Sequence, residues 1–230
     1  MIDLYALTSP NVQKIFIMLE ECGLPYNQIK VDVWAGEQFK PEFLKVNPNA
    51  KVPAIVDHDG PGGKPFTVFE SGAILLYLAG KTGRFYPNDL RGRCDVAQWL
   101  FWQMGNLGPM AGQAHHFRLY APEQLPYAID RYTRECGRLY RVLDRRLADR
   151  EFVAGEYSIA DMASYPWIRP ERQGQDLNDF PNLARWHAAI KSRPAVERAY
   201  AIVERVNKAP SITDEQSRKI LFGQDKNTVR

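Results

Sequence analysis

Cysteine is scarce in this chain: Cys22, Cys94 and Cys136 are the three present, with no C-x-x-C pair and no His-rich tract beside them. A sparse, odd-numbered set argues against a disulfide framework or a zinc ribbon and fits a reducing cytosol better than a secreted setting. Long apolar runs are missing as well. No stretch approaches ~18 residues, and the opening Met1-Ile2-Asp3-Leu4-Tyr5 has no basic region, so neither a membrane span nor a signal peptide is expected. Net charge is small, with 30 Lys and Arg against 27 Asp and Glu giving +3. That balance does not suggest nucleic acid unless the charge is clustered. There is no internal repeat and no low-complexity segment. What remains is an ordinary globular composition, 45% apolar and 25% charged over 230 residues, enough for one large core or two modest ones. A soluble cytoplasmic protein is expected.

The first eighty or so residues alternate in type. Residues 2–6 read as a strand, and Ser9-Pro10-Asn11 opens an apolar-periodic helix that Gly23 stops. Residues 29–33 read as a second strand, 37–45 as a short weak helix, and 53–56 and 66–69 as strands joined by the turn at 59–63. A helix follows over 72–81. The order βαβαββα combines a parallel, right-handed crossover with an antiparallel hairpin, which one small mixed sheet flanked by helices satisfies. Beyond 83 only helical patterns occur. The apolar stripe of Ile129, Tyr132, Cys136, Leu139, Leu143 and Leu147 steps by three and four through a helix over 127–149. Ser158 and Asp161 form a capping-box start, with Tyr157 before it. The expected organisation is an α/β domain over 1–83, a linker over 84–93, an all-helical domain over 94–206 and a polar tail over 207–230.

Three short motifs can carry chemistry, and each has two readings. Thr8-Ser9-Pro10-Asn11 is a routine helix start. The same geometry, backbone N–H groups beside hydroxyls, also suits an anion such as a thiolate. No cysteine stands there, so a thiol would have to arrive on a ligand. Lys51-Val52-Pro53 is either an edge-strand proline or a cis bond that turns the Val52 main chain toward an extended peptide-like ligand. Glu70-Ser71 is either another helix start or a carboxylate-and-ammonium clamp for an α-amino acid end.

Together, "VPAI", "ESGAILLYL" and "YSIAD" resemble the cytosolic glutathione transferases over roughly residues 1 to 200. The strings "TSPN", "GEQFKPEFLKVNPNAKVPAIVD", "QWLFWQMGNLGPMAGQAHHF" and "PYAIDRY" are similar to the bacterial nu-class enzymes, relatives of the yeast nitrogen-regulator prion protein. The resemblance implies a thioredoxin-like first domain, an all-α second domain and glutathione-dependent disulfide reduction, with minor peroxidase or conjugating activity. It puts Thr8, Ser9 and Asn11 at the glutathione sulfur and Gln38 and Lys51 along the glycyl side. The Val52 main chain beside Pro53 would pair with the cysteinyl part, and Glu70 and Ser71 would hold the γ-glutamyl end. Arg131 would reach glutathione from the partner of a homodimer. Serine stands at position 9 where the nu-class pattern carries threonine, which keeps the hydroxyl. Tyr5, where other transferases carry a catalytic tyrosine, is read as a packed strand residue.

Other features have plainer readings. Arg131, Arg134, Arg138, Arg141 and Arg145 line one helix face, but Asp130, Glu135 and Asp144 interleave. An ion-paired surface, rather than a nucleic-acid site, is expected. His115-His116 lacks a third ligand, so no metal is expected. The partners expected are glutathione and small disulfides or hydroperoxides. The alternative function is a glutathione-binding regulatory protein of the same fold with little turnover.

Overall fold

The computed structural model describes residues 1–206 and 215–228. The chain packs as two compact units, one formed by Met1–Leu78 with Arg198–Arg230, the other by Ala79–Glu197.

In the first unit the elements are β1 (Ile2–Ala6), α1 (Pro10–Cys22), β2 (Tyr26–Lys30), α2 (Pro41–Leu44), β3 (Ala54–Asp57) and β4 (Phe66–Phe69), followed by α3 (Ser71–Thr82). The four strands make one sheet of order β2-β1-β3-β4, parallel between β1 and β2 and antiparallel elsewhere. The mixed sheet expected of βαβαββα is present. Alternation along β1 buries Ile2, Leu4 and Ala6, and Val12, Ile15, Phe16 and Leu19 of α1 and Ile74, Leu75 and Leu78 of α3 are buried as well, all between 0 and 2% exposed. Each fully buried chain of this size contributes about 1.5–3 kcal/mol. Ser9 starts α1 from an extended conformation, its hydroxyl accepting the Val12 N–H at 3.2 Å. Gly23 ends the helix at φ 65°, where Leu24 N–H reaches back to Leu19 O at 3.0 Å.

Two elements differ from expectation. The second strand lies at Tyr26–Lys30 rather than 29–33. Its partner β1 ends at Ala6, and Asp32 then bends the chain, its Oδ1 accepting the N–H groups of Trp34 and Ala35. The apolar signal of Val31 and Val33 therefore belongs largely to a turn. The helix expected over 37–45 is split into a 3-10 turn, Glu37–Phe39, and α2, because Pro41 holds Lys40 extended between them.

The second unit is helical: α4 (Leu90–Trp102), α5 (Gly108–His115), α6 (Pro126–Arg146), α7 (Ile159–Ser164), α8 (Pro170–Gln173) and α9 (Pro181–Lys191). Helix α4 starts at Leu90, inside the stretch expected as linker, because Asp89 caps it by accepting the Gly92 N–H at 2.9 Å. After α4 comes a π-helical turn, Gln103–Leu107, ahead of Pro109, and a second π turn, His116–Tyr120, follows α5. The stripe read on α6 is largely buried, with Cys136, Leu139, Leu143 and Leu147 all at 0% exposure. The capping box at Ser158 and Asp161 is formed, and Asp161, fully buried, also accepts the Val153 N–H at 2.9 Å and the Trp186 indole N–H at 2.8 Å.

Helix α10 (Pro194–Val206) returns the chain to the first unit, where Tyr200 donates to Gln13 Oε1 and Arg198 pairs with Glu20 at 2.8 Å. Of the polar tail expected over 207–230, residues 207–214 and 229–230 lie outside the described residues; Glu215–Phe222 forms α11.

Candidate active site

Strand register decides what meets in the first unit. Tyr5 of β1 stands opposite Ala54 of β3, Ala54 stands opposite Phe69 of β4, and Ala6 stands opposite Lys30 of β2. The chain therefore leaves β1, β2 and β4, and enters β3, at one and the same end of the sheet. Four segments gather there: Thr8–Asn11 after β1, Gln38 after β2, Lys51–Pro53 before β3 and Glu70–Ser71 after β4. Every candidate residue of the first domain lies in one of them. Ligands collect at such strand and helix ends, where main-chain groups are left outside the ladder.

The α1 start combines three polar side chains. Ser9 Oγ accepts from Val12 and keeps its own proton to donate. Thr8 Oγ1 is buried with no hydrogen-bond partner, and Asn11 is half-buried in the first turn. Two side-chain polar groups after β2, an amide and an indole, are also sequestered. Gln38, 2% exposed, donates through Nε2 to Val33 O at 3.2 Å while its Oε1 has no partner, and the Trp34 indole N–H is buried and unpartnered too. Such orphaned polar atoms cost free energy and mark places where a ligand can complete the bonding.

Before β3, the Val52-Pro53 bond is cis, and the paired ladder begins only at Ala54. Lys51 is exposed, its carbonyl accepting from Asn47 Nδ2 at 2.6 Å. After β4, Glu70 adopts φ 68°, a left-handed conformation uncommon outside glycine, and Ile74 N–H bonds to its carbonyl at 2.9 Å. Ser71, 4% exposed, is the first residue of α3. Its hydroxyl accepts a bond from Lys14 Nζ at 3.2 Å. Lys14 itself is 0% exposed, and burial pushes its pKa down to about 7, with the Glu70 carboxylate acting in the opposite direction.

Tyr5 packs against Phe43, ring centroids 5.9 Å apart, with burial raising its pKa. This matches its reading as a packed strand residue. Arg131 lies on α6 in the second unit, its guanidinium half-exposed and 3.7 Å from Glu135. Three more arginines of that basic face are ion-paired: Arg134 to Asp130 at 2.8 Å, Arg138 to Glu135 at 2.7 Å and Arg141 to Asp144 at 3.2 Å. His115 is buried and stacked on Trp167, with burial and the nearby Arg169 and Arg172 lowering its pKa to about 4, so it is neutral at pH 7. Among the described residues, no three His, Cys, Asp or Glu side chains cluster to hold a metal ion.

Sequence reasoning missed Lys14, Trp34 and Asn47. Lys14 had a signal, being a lone cation inside the apolar run of residues 12–19. The other two had none.

Comparison with known proteins gives consistent relatives. Residues 8–81 match the model of the glutathione S-transferase N-terminal domain, and residues 108–194 that of the C-terminal domain. The disulfide-bond oxidoreductase YfcG of Escherichia coli K12 is 54% identical over 202 residues, covering 86% of this chain and 94% of its own length. A glutathione transferase family member from Pseudomonas fluorescens, solved with two glutathione bound, superposes with a TM-score of 0.82 at 44% identity, over 86% of this chain and 91% of that one. A glutathione transferase from Pseudomonas putida, with one glutathione disulfide bound per subunit, gives a TM-score of 0.82 at 44% identity, over 87% and 91%.

Proposed function

Because the chain belongs to the glutathione S-transferase family, we propose that it is a nu-class, glutathione-dependent disulfide reductase. The observation that carries this reading is the register of the sheet, which collects Thr8, Ser9, Asn11, Gln38, Val52 and Ser71 at one end. Glutathione is the cosubstrate and no metal takes part. Its cysteinyl thiolate lies at the α1 start, where the Ser9 hydroxyl, Asn11 and the helix dipole stabilise negative charge. Thr8 supplies a second hydroxyl. Gln38 and Lys51 follow the glycyl side, the Val52 main chain beside Pro53 pairs with the cysteinyl part, and Glu70 and Ser71 hold the ammonium and carboxylate of the γ-glutamyl end.

Two exchange steps complete the reaction. The thiolate attacks one sulfur of a small disulfide, forming a mixed disulfide with glutathione and expelling the other half as thiolate. A second glutathione thiolate then attacks the glutathione sulfur of that mixed disulfide. Glutathione disulfide forms and the second half of the substrate leaves reduced. Two glutathiones lose one electron each, and the substrate gains both. A site for two glutathiones or one glutathione disulfide matches what the Pseudomonas relatives hold. Peroxide reduction and conjugation use the same thiolate at lower rate.

The working form is a homodimer in which Arg131 reaches the partner's glutathione. Each unit exposes large apolar side chains of its own, Phe66 and Phe69 on β4 in the first and Leu90, Phe101 and Tyr127 in the second, as surfaces that a partner covers would. Three cysteines outside any disulfide suit the cytoplasm. Retention on immobilised glutathione followed by turnover of hydroxyethyl disulfide tests the reading; retention without turnover would leave a binding protein and sink the enzyme.

A further inference from the structure

Asn47 is 2% exposed in the loop between α2 and β3, and the hydrogen bonds of that loop converge on it. Its Oδ1 accepts the Asn49 N–H at 2.9 Å, and its main-chain carbonyl accepts the Ala50 N–H at 3.0 Å. Its Nδ2 donates to Lys51 O at 2.6 Å. The Asn47 N–H donates in turn to Phe43 O at 2.8 Å, which hangs the loop from the end of α2. Phe43 is buried and packs on Tyr5 of β1, so the anchor is fixed to the sheet. Ala50 is held at φ 52°, left-handed backbone that a residue with a Cβ adopts at a cost. The bonds to Asn47 on either side of it offset that cost.

The loop delivers Val52. The ladder with β1 starts at Ala54, and among the described residues neither the N–H nor the carbonyl of Val52 has a hydrogen-bond partner. The Lys51–Val52 peptide is trans, so the Lys51 carbonyl and the Val52 N–H lie in one plane and point opposite ways. With that carbonyl drawn in to the Asn47 amide, the Val52 N–H is turned away from it.

We infer that Asn47 is a positioning residue for the cysteinyl segment of glutathione: by holding Lys51 O it aims the Val52 N–H at the cysteinyl carbonyl. This rests on the reading that the Val52 main chain pairs with the cysteinyl part. A donor fixed before the ligand arrives needs no ordering on binding, which favours affinity. The role requires an amide at position 47. Aspartate forms the same turn with the Asn49 N–H as asparagine does, but an ionised carboxylate has nothing to donate to Lys51 O.

The test is titration calorimetry with S-methylglutathione on wild type, Asn47→Asp and Asn47→Ala, beside amide spectra of the same proteins labelled with 15N-valine. Both variants are expected to bind about tenfold more weakly than wild type. At saturation the Val52 amide proton of wild type moves downfield, as a newly bonded donor does, and that of the variants does not. Wild-type affinity in Asn47→Asp, or the full shift in either variant, reduces Asn47 to a turn former and overturns the inference. Should a buried carboxylate unfold Asn47→Asp, Asn47→Ala decides, because the Asn49 and Lys51 groups it leaves behind are exposed and reach water. Wild-type binding without change at Val52 overturns the inference and leaves the other glutathione contacts standing. Absence of wild-type binding overturns the glutathione reading itself.

Discussion

At the scale of single residues, the sheet-end group divides into side chains that are held and side chains that are offered. Ser9 is both: it caps α1 through its oxygen, and a hydroxyl that accepts keeps its proton to donate. Asn11 stands half-buried in the first turn of α1, and Asn11→Ala is expected to lower kcat/KM on hydroxyethyl disulfide by about tenfold or more, the size of a lost donor to developing charge. Tyr5→Phe should change it by less than about twofold, because the Tyr5 ring packs on Phe43 and only its hydroxyl is removed. The opposite ranking would reject the assignment of the sulfur to the α1 start. The motif residues of this group were legible because each belongs to a local pattern, a cap, an X-Pro step or a strand-to-helix junction. Lys14 and Trp34 were not. Their significance is a matter of what lies next to them in space, 57 residues away along the chain in the case of Lys14 and Ser71.

Elements were legible where one pattern controlled them. Amphipathic periodicity gave α1 and α6, and the Ser158–Asp161 spacing gave the start of α7, each present in the structure. Boundaries failed where a tertiary partner or a proline decided, as at the end of β2 and between the turn at Glu37–Phe39 and α2. Asp161 shows how much one cap can hold. Removing its carboxylate leaves the N–H groups of Val153, Ser158 and Trp186 without their acceptor. Asp161→Ala is therefore expected to cost about 3 kcal/mol, read from urea midpoints. Burial pushes the Asp161 pKa from 3.8 up to about 6. A native acid that keeps its proton longer than the unfolded chain contributes stability at low pH and loses it as pH rises through its native pKa. Between about pH 4 and about pH 6, this group should therefore lower stability as pH increases, and Asp161→Asn should remove that slope from the urea series.

At the scale of the whole molecule, two units of one 230-residue chain were anticipated, and so was the mixed sheet of the first. The return of residues 198–206 and 215–228 to the first unit was not, because nothing in the composition of those segments names their destination. Sedimentation at micromolar concentration should give about twice the 26.3 kDa of one chain. A species of one-chain mass would remove the role of Arg131 across an interface. With the dimer intact, Arg131→Ala should raise KM for glutathione several-fold while leaving kcat nearly unchanged, as expected of an interaction made equally before and during the reaction. The placement of the cysteines has one more consequence. Cys136 is buried, with its thiol pKa pushed up to about 12, and Cys22 ends α1 about 20 Å of helix away from Ser9. Peroxide strong enough to drive a thiol to its sulfinic or sulfonic acid permanently disables an enzyme whose own cysteine is the nucleophile. Here the sulfur that meets the oxidant leaves with the product and a fresh one diffuses in, so the catalyst survives conditions that its chemistry exists to repair.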